Sequence, residues 1–249
     1  MYLLIVSYLI IGIVIGSFLN VCIYRLPIGM SIISPPSRCG SCGTKLGFLD
    51  LIPVLSYVFS GGKCRHCGAK YSLRYPLVEI LTGILFVISG FFKLPGISLL
   101  LLWICVSLLI VITFIDIDHQ IIMDRMQVLL LIFSSLYVYF TTVNYADHLF
   151  GSAIAGGLMM IIYLISRGGM GAGDVKLSFV LGLWLGVQGV LVCLMIAFIL
   201  GGIVGATLLI LKIKSRKDPI PFGPYLCLGA FVSLIYGPYI IYWYWSLFI

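Results

Sequence analysis

Apolar residues fall along this chain in long runs broken by short polar gaps. A helix needs about 20 predominantly apolar residues to cross a bilayer, so runs of that length are read as spans. The first run covers 2–24. A polar stretch follows at 25–75, and then further runs at 76–92, 97–115, 126–143, 148–166, 175–187, 189–211 and 222–248. The pattern predicts an all-α polytopic membrane protein of about eight transmembrane helices. It divides into a first helix (1–24), a loop domain (25–75) and a helical core (76–249). The run at 175–187 is short, and Gly237-Pro238 is expected to kink or end the last helix. No basic stretch precedes the first run and no small-residue cleavage site follows it, so it is expected to be a retained helix.

Composition agrees with this pattern. Hydrophobic residues make up 62% of the 249 positions and charged residues 9%. A soluble domain carries about 25% charged residues, so a soluble enzyme, a disordered chain and a nucleic-acid-binding domain are all excluded. The net charge of +7 comes from fifteen basic and eight acidic residues, and its distribution sets an orientation. With the gaps numbered alternately, fourteen of the fifteen Lys and Arg residues fall on one side and Lys93 alone on the other. Positive residues stay cytoplasmic, so the N-terminus is expected outside and the 25–75 loop inside. The basic residues then suit anionic headgroups of the lipid bilayer rather than nucleic acid. The glycine pairs Gly12/Gly16, Gly182/Gly186 and Gly201/Gly205 are expected to be helix-packing sites.

Cysteines are concentrated in the polar loop. Cys39-Gly40-Ser41-Cys42-Gly43 and Cys64-Arg65-His66-Cys67-Gly68 form two Cys-x2-Cys knuckles. Two thiolates separated by two residues can wrap one metal ion, and the glycine after each pair lets the backbone turn with positive φ. Cys39, Cys42, Cys64 and Cys67 would supply a closed, structural four-sulfur zinc site, with His66 a bystander. Two disulfides are the rival reading, disfavoured in a reducing compartment. Cys22, Cys105, Cys193 and Cys227 lie singly in apolar runs and read as small buried hydrophobes.

With only eight acids, carboxylate chemistry has few candidates: Asp50, Glu79, Asp116, Asp118, Asp124, Asp147, Asp174 and Asp218. Asp116 ends one span. Asp174 closes the segment Gly168-Gly169-Met170-Gly171-Ala172-Gly173-Asp174 and opens another, on the same side of the membrane. Two carboxylates sharing a proton can hydrolyse a peptide bond, one activating water and the other protonating the substrate. Gly171 and Gly173 would permit a tight turn and close approach of a substrate backbone. Aspartates at helix ends also serve as caps, which is the plain alternative. Asp118, His119 and Asp124 form only a loose metal pattern and read better as substrate-positioning or solvating groups. Glu79, an acid near the start of a span, is costly there and calls for a function or a partner, with Arg74 and Arg25 as candidates. Asp50, Asp147 and Asp218 read as boundary residues. A transporter, a zinc-bearing scaffold and an aspartic protease of other specificity are the rival functions. Acids clustered at one face, rather than at the midplane, argue against a transport path.

Several blocks in order carry a family resemblance. These are Gly16-Ser17-Phe18-Leu19-Asn20 through Arg25-Leu26-Pro27, then Ser34-Pro35-Pro36-Ser37-Arg38-Cys39, and Asp50-Leu51-Ile52-Pro53 through Tyr57. Arg74-Tyr75-Pro76-Leu77-Val78-Glu79 and the two aspartate segments follow. Over nearly its full length the chain resembles the bacterial type IV prepilin peptidases, membrane aspartic proteases of prepilins and pseudopilins. The resemblance implies that Asp116 and Asp174 are the catalytic pair. It also implies cleavage at the cytoplasmic membrane face, after a glycine that ends a short basic leader. Many members then N-methylate the new N-terminus using S-adenosylmethionine, an activity associated with the part that carries the cysteine loop. No glycine-rich nucleotide loop marks a site for that donor. Two positions depart from the family pattern: Met123, where Ile-Pro-Asp is common, and Gly40, where proline is common.

Overall fold

The computed structural model describes residues 2–92, 94–142, 144–166, 169–215 and 218–246. The basic residues Lys93, Arg167, Arg216 and Lys217, used above for orientation, lie outside these. The described residues form helices and two isolated β-bridges, with no strands. The helices are α1 (Tyr2–Arg25), α2 (Leu55–Phe59), α3 (Arg74–Gly90), α4 (Gly96–His119), α5 (Asp124–Thr141), α6 (Tyr145–Ser166), α7 (Ala172–Ile210) and α8 (Gly223–Ser246). A single 3-10 turn covers Phe48–Asp50. Five helices, α1, α4, α6, α7 and α8, are long and apolar enough to cross a membrane. The chain divides into two compact units, Met1–Pro95 and Gly96–Ile249.

In the first unit, α1 and α3 pack antiparallel through small residues. A Cβ on Gly12 would stand 2.6 Å from the Gly83 Cα, and one on Gly16 would stand 2.7 Å from the Glu79 Cα. The glycine pair therefore does what its spacing predicts: it lets two backbones touch. At the end of the same seam, Asn20 donates from Nδ2 to the Tyr75 carbonyl at 3.0 Å. Leu3, Val6, Ile10 and Val14 leave the other side of α1 apolar and exposed, as a lipid-facing surface requires.

In the second unit, α7 lies against α5, α6 and α8, and α4 against α5 and α8. The two runs expected at 175–187 and 189–211 join into the 39-residue α7, broken internally at Gly186 (φ 72°, ψ 179°). At 1.5 Å per residue, 172–185 spans about 21 Å and 187–210 about 36 Å. Only the second segment reaches the roughly 30 Å of a hydrocarbon core. The break frees backbone groups, and α6 satisfies them. The Val187 N–H donates to Asp147 Oδ2 at 3.3 Å, and His148 Nδ1 lies 2.9 Å from the Leu183 carbonyl. Asp147 is thus a cap on a broken helix rather than an ordinary boundary residue. Gly182 backs onto the backbone of Gly151 and Ser152 in α6, whereas Gly201 meets the rings of Phe222 and Tyr225. The helix α8 continues through Pro238 to Ser246 instead of ending there.

Candidate functional site

Asp116 begins the last turn of α4, buried at 4% exposure. Its Oδ2 accepts the Gly223 N–H at 3.0 Å. Gly223 is the first residue of α8, and first-turn N–H groups have no partner inside their own helix. Asp116 takes one of them. The approach leaves no room for a side chain, because a Cβ on Gly223 would lie 2.7 Å from Asp116 Oδ2.

Asp174 occupies the first turn of α7, buried at 8% exposure. Gly171 is the N-cap, with extended backbone, and lies against the Asp174 carboxylate: a Cβ on it would stand 3.3 Å from Asp174 Oδ2. Asp174 Oδ1 is buried and has no hydrogen-bond partner among the described residues. The two aspartates lie within Coulombic reach of each other, and the buried Cys227 thiol of α8 feels both. Ile122 packs between the two arms: a Cβ on Gly173 would stand 3.1 Å from the Ile122 Cβ, and one on Gly223 would stand 3.2 Å from the Ile122 Cδ1.

The start of α5 fixes the glycine segment in place. Buried Gln127 donates from Nε2 to the Gly173 carbonyl at 3.1 Å. On the surface, Lys176 and Asp124 form a 2.7 Å ion pair between the first turns of α7 and α5. Met123 takes extended backbone as the N-cap of α5, so the helix starts here without the family's proline. Asp118 and His119 are exposed on the last turn of α4. The structure therefore brings together Asp116, Asp174, Gly171 and Gly173, with Asp124 at the rim. It adds Gly223, Gln127 and Ile122, which nothing in the sequence singles out. Pro221-Phe222-Gly223-Pro224 does carry a helix-start signal, proline at the second helical position, but nothing local says that its N–H meets an aspartate 107 residues away.

Glu79 lies in the first unit. It is buried, and its Oε2 accepts the Val54 N–H at 2.7 Å, with the Ser17 hydroxyl as a further donor. Arg25, one of the candidate partners, donates instead to the Ser31 carbonyl at 2.9 Å. Asp50 accepts from the Gly47 N–H at 3.0 Å and pairs with Arg65 at 3.3 Å.

The cysteine knuckles are near-copies of each other. Cys39 and Cys64 donate their N–H groups to Thr44 and Ala69, and their carbonyls accept from Gly43 and Gly68 at 2.9 Å. Gly43 (φ 71°) and Gly68 (φ 72°) both take the left-handed turn, and isolated antiparallel bridges close each knuckle. All four sulfurs lie within 4.8 Å of one another, with Cys39 and Cys67 at 3.8 Å. Four sulfurs around a zinc ion at about 2.3 Å would be roughly 3.8 Å apart, so the cluster fits a tetrahedral metal centre better than two bonded pairs. No disulfide joins any of the eight cysteines. A hydrogen bond from the Tyr71 hydroxyl, helped by the His66 and Cys67 backbone, draws the Cys64 thiol down to about 6. Among the described residues this is the one cluster able to hold a metal; Asp118, His119 and Asp124 form none.

Comparison with known proteins follows the same division. Residues 10–92 match the bacterial peptidase A24 N-terminal domain, and residues 103–206 match the Type IV leader peptidase family. A protein of Aeromonas salmonicida named prepilin leader peptidase/N-methyltransferase is 36% identical, over 94% of this chain and 91% of its own length. Proteins of the same name from Bacillus subtilis and Pseudomonas aeruginosa are each 32% identical. They align over 94% and 92% of this chain and over 95% and 89% of their own lengths. No solved structure matches significantly.

Proposed function

The chain belongs to the type IV leader peptidase family, and from that premise we propose that it is a membrane-embedded aspartic endopeptidase of prepilins or pseudopilins. It removes the short basic leader after glycine, at the cytoplasmic face of the inner membrane, and then N-methylates the new N-terminus. Asp116 and Asp174 are the catalytic pair. The observation that carries this reading is a pair of buried aspartates from α4 and α7 within Coulombic reach of each other, one of them with a carboxylate oxygen left without a partner among the described residues. A buried carboxylate oxygen without a partner is costly unless a proton, a water or a substrate satisfies it. A dyad supplies that use.

In this mechanism one carboxylate removes a proton from the attacking water, and the other gives a proton to the scissile carbonyl or leaving amine. The Gly223 N–H holds the Asp116 carboxylate in orientation, and the Gly171 turn packs against that of Asp174. Gln127 keeps the Gly173 turn from moving. Cys39, Cys42, Cys64 and Cys67 would hold zinc with all four positions filled by protein, so the ion's contribution is to fold the loop. Methylation requires S-adenosylmethionine, which supplies an electrophilic methyl group.

The test is cleavage of a prepilin whose leader ends in glycine. Asp116→Asn and Asp174→Asn should each slow cleavage by about 10²–10⁴-fold, the usual worth of a general acid or base. Wild-type cleavage that neither substitution reduces would overturn the assignment.

A further inference from the structure

The first unit encloses a cavity of about 520 Å³ between the C-terminal half of α1, the cysteine loop and the start of α3. Small-molecule sites run from about 300 to 1,000 Å³, so it can house a nucleoside joined to an amino acid. Its walls have a definite chemistry. Three polar side chains that are more than nine-tenths buried, Asn20, Arg25 and Glu79, converge on it. Each is anchored by one protein partner, Asn20 by the Tyr75 carbonyl, Arg25 by the Ser31 carbonyl and Glu79 by the Val54 N–H, and they come from two helices held in register by the Gly12–Gly83 seam. Tyr57 and Tyr71 add aromatic surface. Cys39 and Cys64 also line the cavity, so the metal knuckles form part of the same wall.

We infer that this cavity is the binding site of the methyl donor, S-adenosylmethionine. The inference rests on the methyltransferase half of the function proposed above and supplies the location that the sequence lacks. The ligand carries an aromatic base, a zwitterionic amino acid and a sulfonium cation. Tyrosine rings offer a stacking surface to the base and a π face to the cation. Arg25 presents a guanidinium suited to the amino-acid carboxylate. Glu79, fixed by the Val54 N–H and the Ser17 hydroxyl, places a carboxylate in the wall as counter-charge to the sulfonium. When an amine is methylated, an N–C bond forms and the S–C bond breaks. The electron pair goes to sulfur, leaving a neutral thioether, and the amine gives up a proton to solvent. A site for this chemistry should therefore hold the cationic donor more tightly than its neutral product.

The experiment is calorimetric titration of the full detergent-solubilised chain with S-adenosylmethionine and, separately, with S-adenosylhomocysteine. Methylation of the mature pilin N-terminus is read in parallel by mass. Wild type should bind both and prefer the sulfonium. Glu79→Gln should weaken S-adenosylmethionine about tenfold, the worth of one charge-assisted contact, and remove that preference. Ser56→Trp, which fills the cavity from its wall, should abolish binding of both, with an unchanged unfolding midpoint as the sign of an intact fold. If wild type methylates and binds the donor but both variants bind like wild type, the donor site lies elsewhere and this inference fails while the methyltransferase reading stands. If wild type neither binds the donor nor methylates, both fail together.

Discussion

Gly223 contributes no side chain, yet its N–H is the hydrogen-bond donor that Asp116 receives from α8. Replacing it with alanine would put a methyl group 2.7 Å from Asp116 Oδ2 and 3.2 Å from the Ile122 Cδ1, so the carboxylate must move. A misplacement of about 1 Å in a catalytic group costs on the order of 10²-fold in rate. Gly223→Ala is therefore expected to lower kcat for leader cleavage by roughly 10–100-fold while KM changes little, measured on a prepilin substrate under saturating conditions. A matching fall in helix content by circular dichroism would assign the loss to folding instead. The acids show how far such residues were legible. Eight carboxylates in 249 residues made a short list, and the two expected to meet do lie within reach of each other. Gly223 and Gln127 left no comparable trace, because a backbone donor has no residue-type signature and a glutamine has many uses.

At the scale of elements, apolar run length located the long helices, while the internal break of α7 stayed hidden. Its signal was a short run before a glycine, which also fits a separate short span. What makes the break tolerable is supplied by α6: Asp147 and His148 bind the freed Val187 N–H and Leu183 carbonyl. No periodicity reports such a partnership between residues 40 and 35 positions apart. The four-residue spacing of Gly182 and Gly186 predicts packing alone. Gly182 fits that reading, but Gly186 also takes φ 72°. A Cβ there would be strained by the backbone and would collide with the Asp147 carboxylate. Gly186→Ala should destabilise the helical core by about 1–3 kcal/mol, the usual cost of such a conformation in a non-glycine residue. Thermal unfolding in detergent measures it. Gly202→Ala, where a Cβ meets open space, is the control and should leave the midpoint unchanged.

For the molecule as a whole, the two units predict separable behaviour. The four sulfurs belong to Met1–Pro95 and both aspartates to Gly96–Ile249. Purified protein should contain about one zinc per chain, and chelation should expose the 26–73 loop to protease while the α4–α8 segment stays protected. Metal analysis finding no zinc would end the four-sulfur assignment. The span count has a consequence of its own for orientation. The helices α3 and α5, at 17 and 18 residues, are about 26 and 27 Å long and fall just short of a hydrocarbon core. If both still cross, and α7 enters and leaves through its break at Gly186, eight segments alternate and fourteen of fifteen basic residues share one side. If either stays at the interface, every later loop changes side and the basic residues divide between the two faces. A charge bias that strong is the expected outcome of membrane insertion only for the first arrangement. Reporter fusions decide the matter. A reporter active only in the cytoplasm should work after Ser60 and Ser215 and fail after Pro95 and Asn144, and one active only outside should show the reverse. Cytoplasmic activity after Asn144, with the Pro95 fusion still outside, would mean that α5 does not cross and would place the start of α6 on the same side as Asp116. The shared face proposed for Asp116 and Asp174 would then have to be abandoned, because α6 alone separates that point from the Asp174 segment.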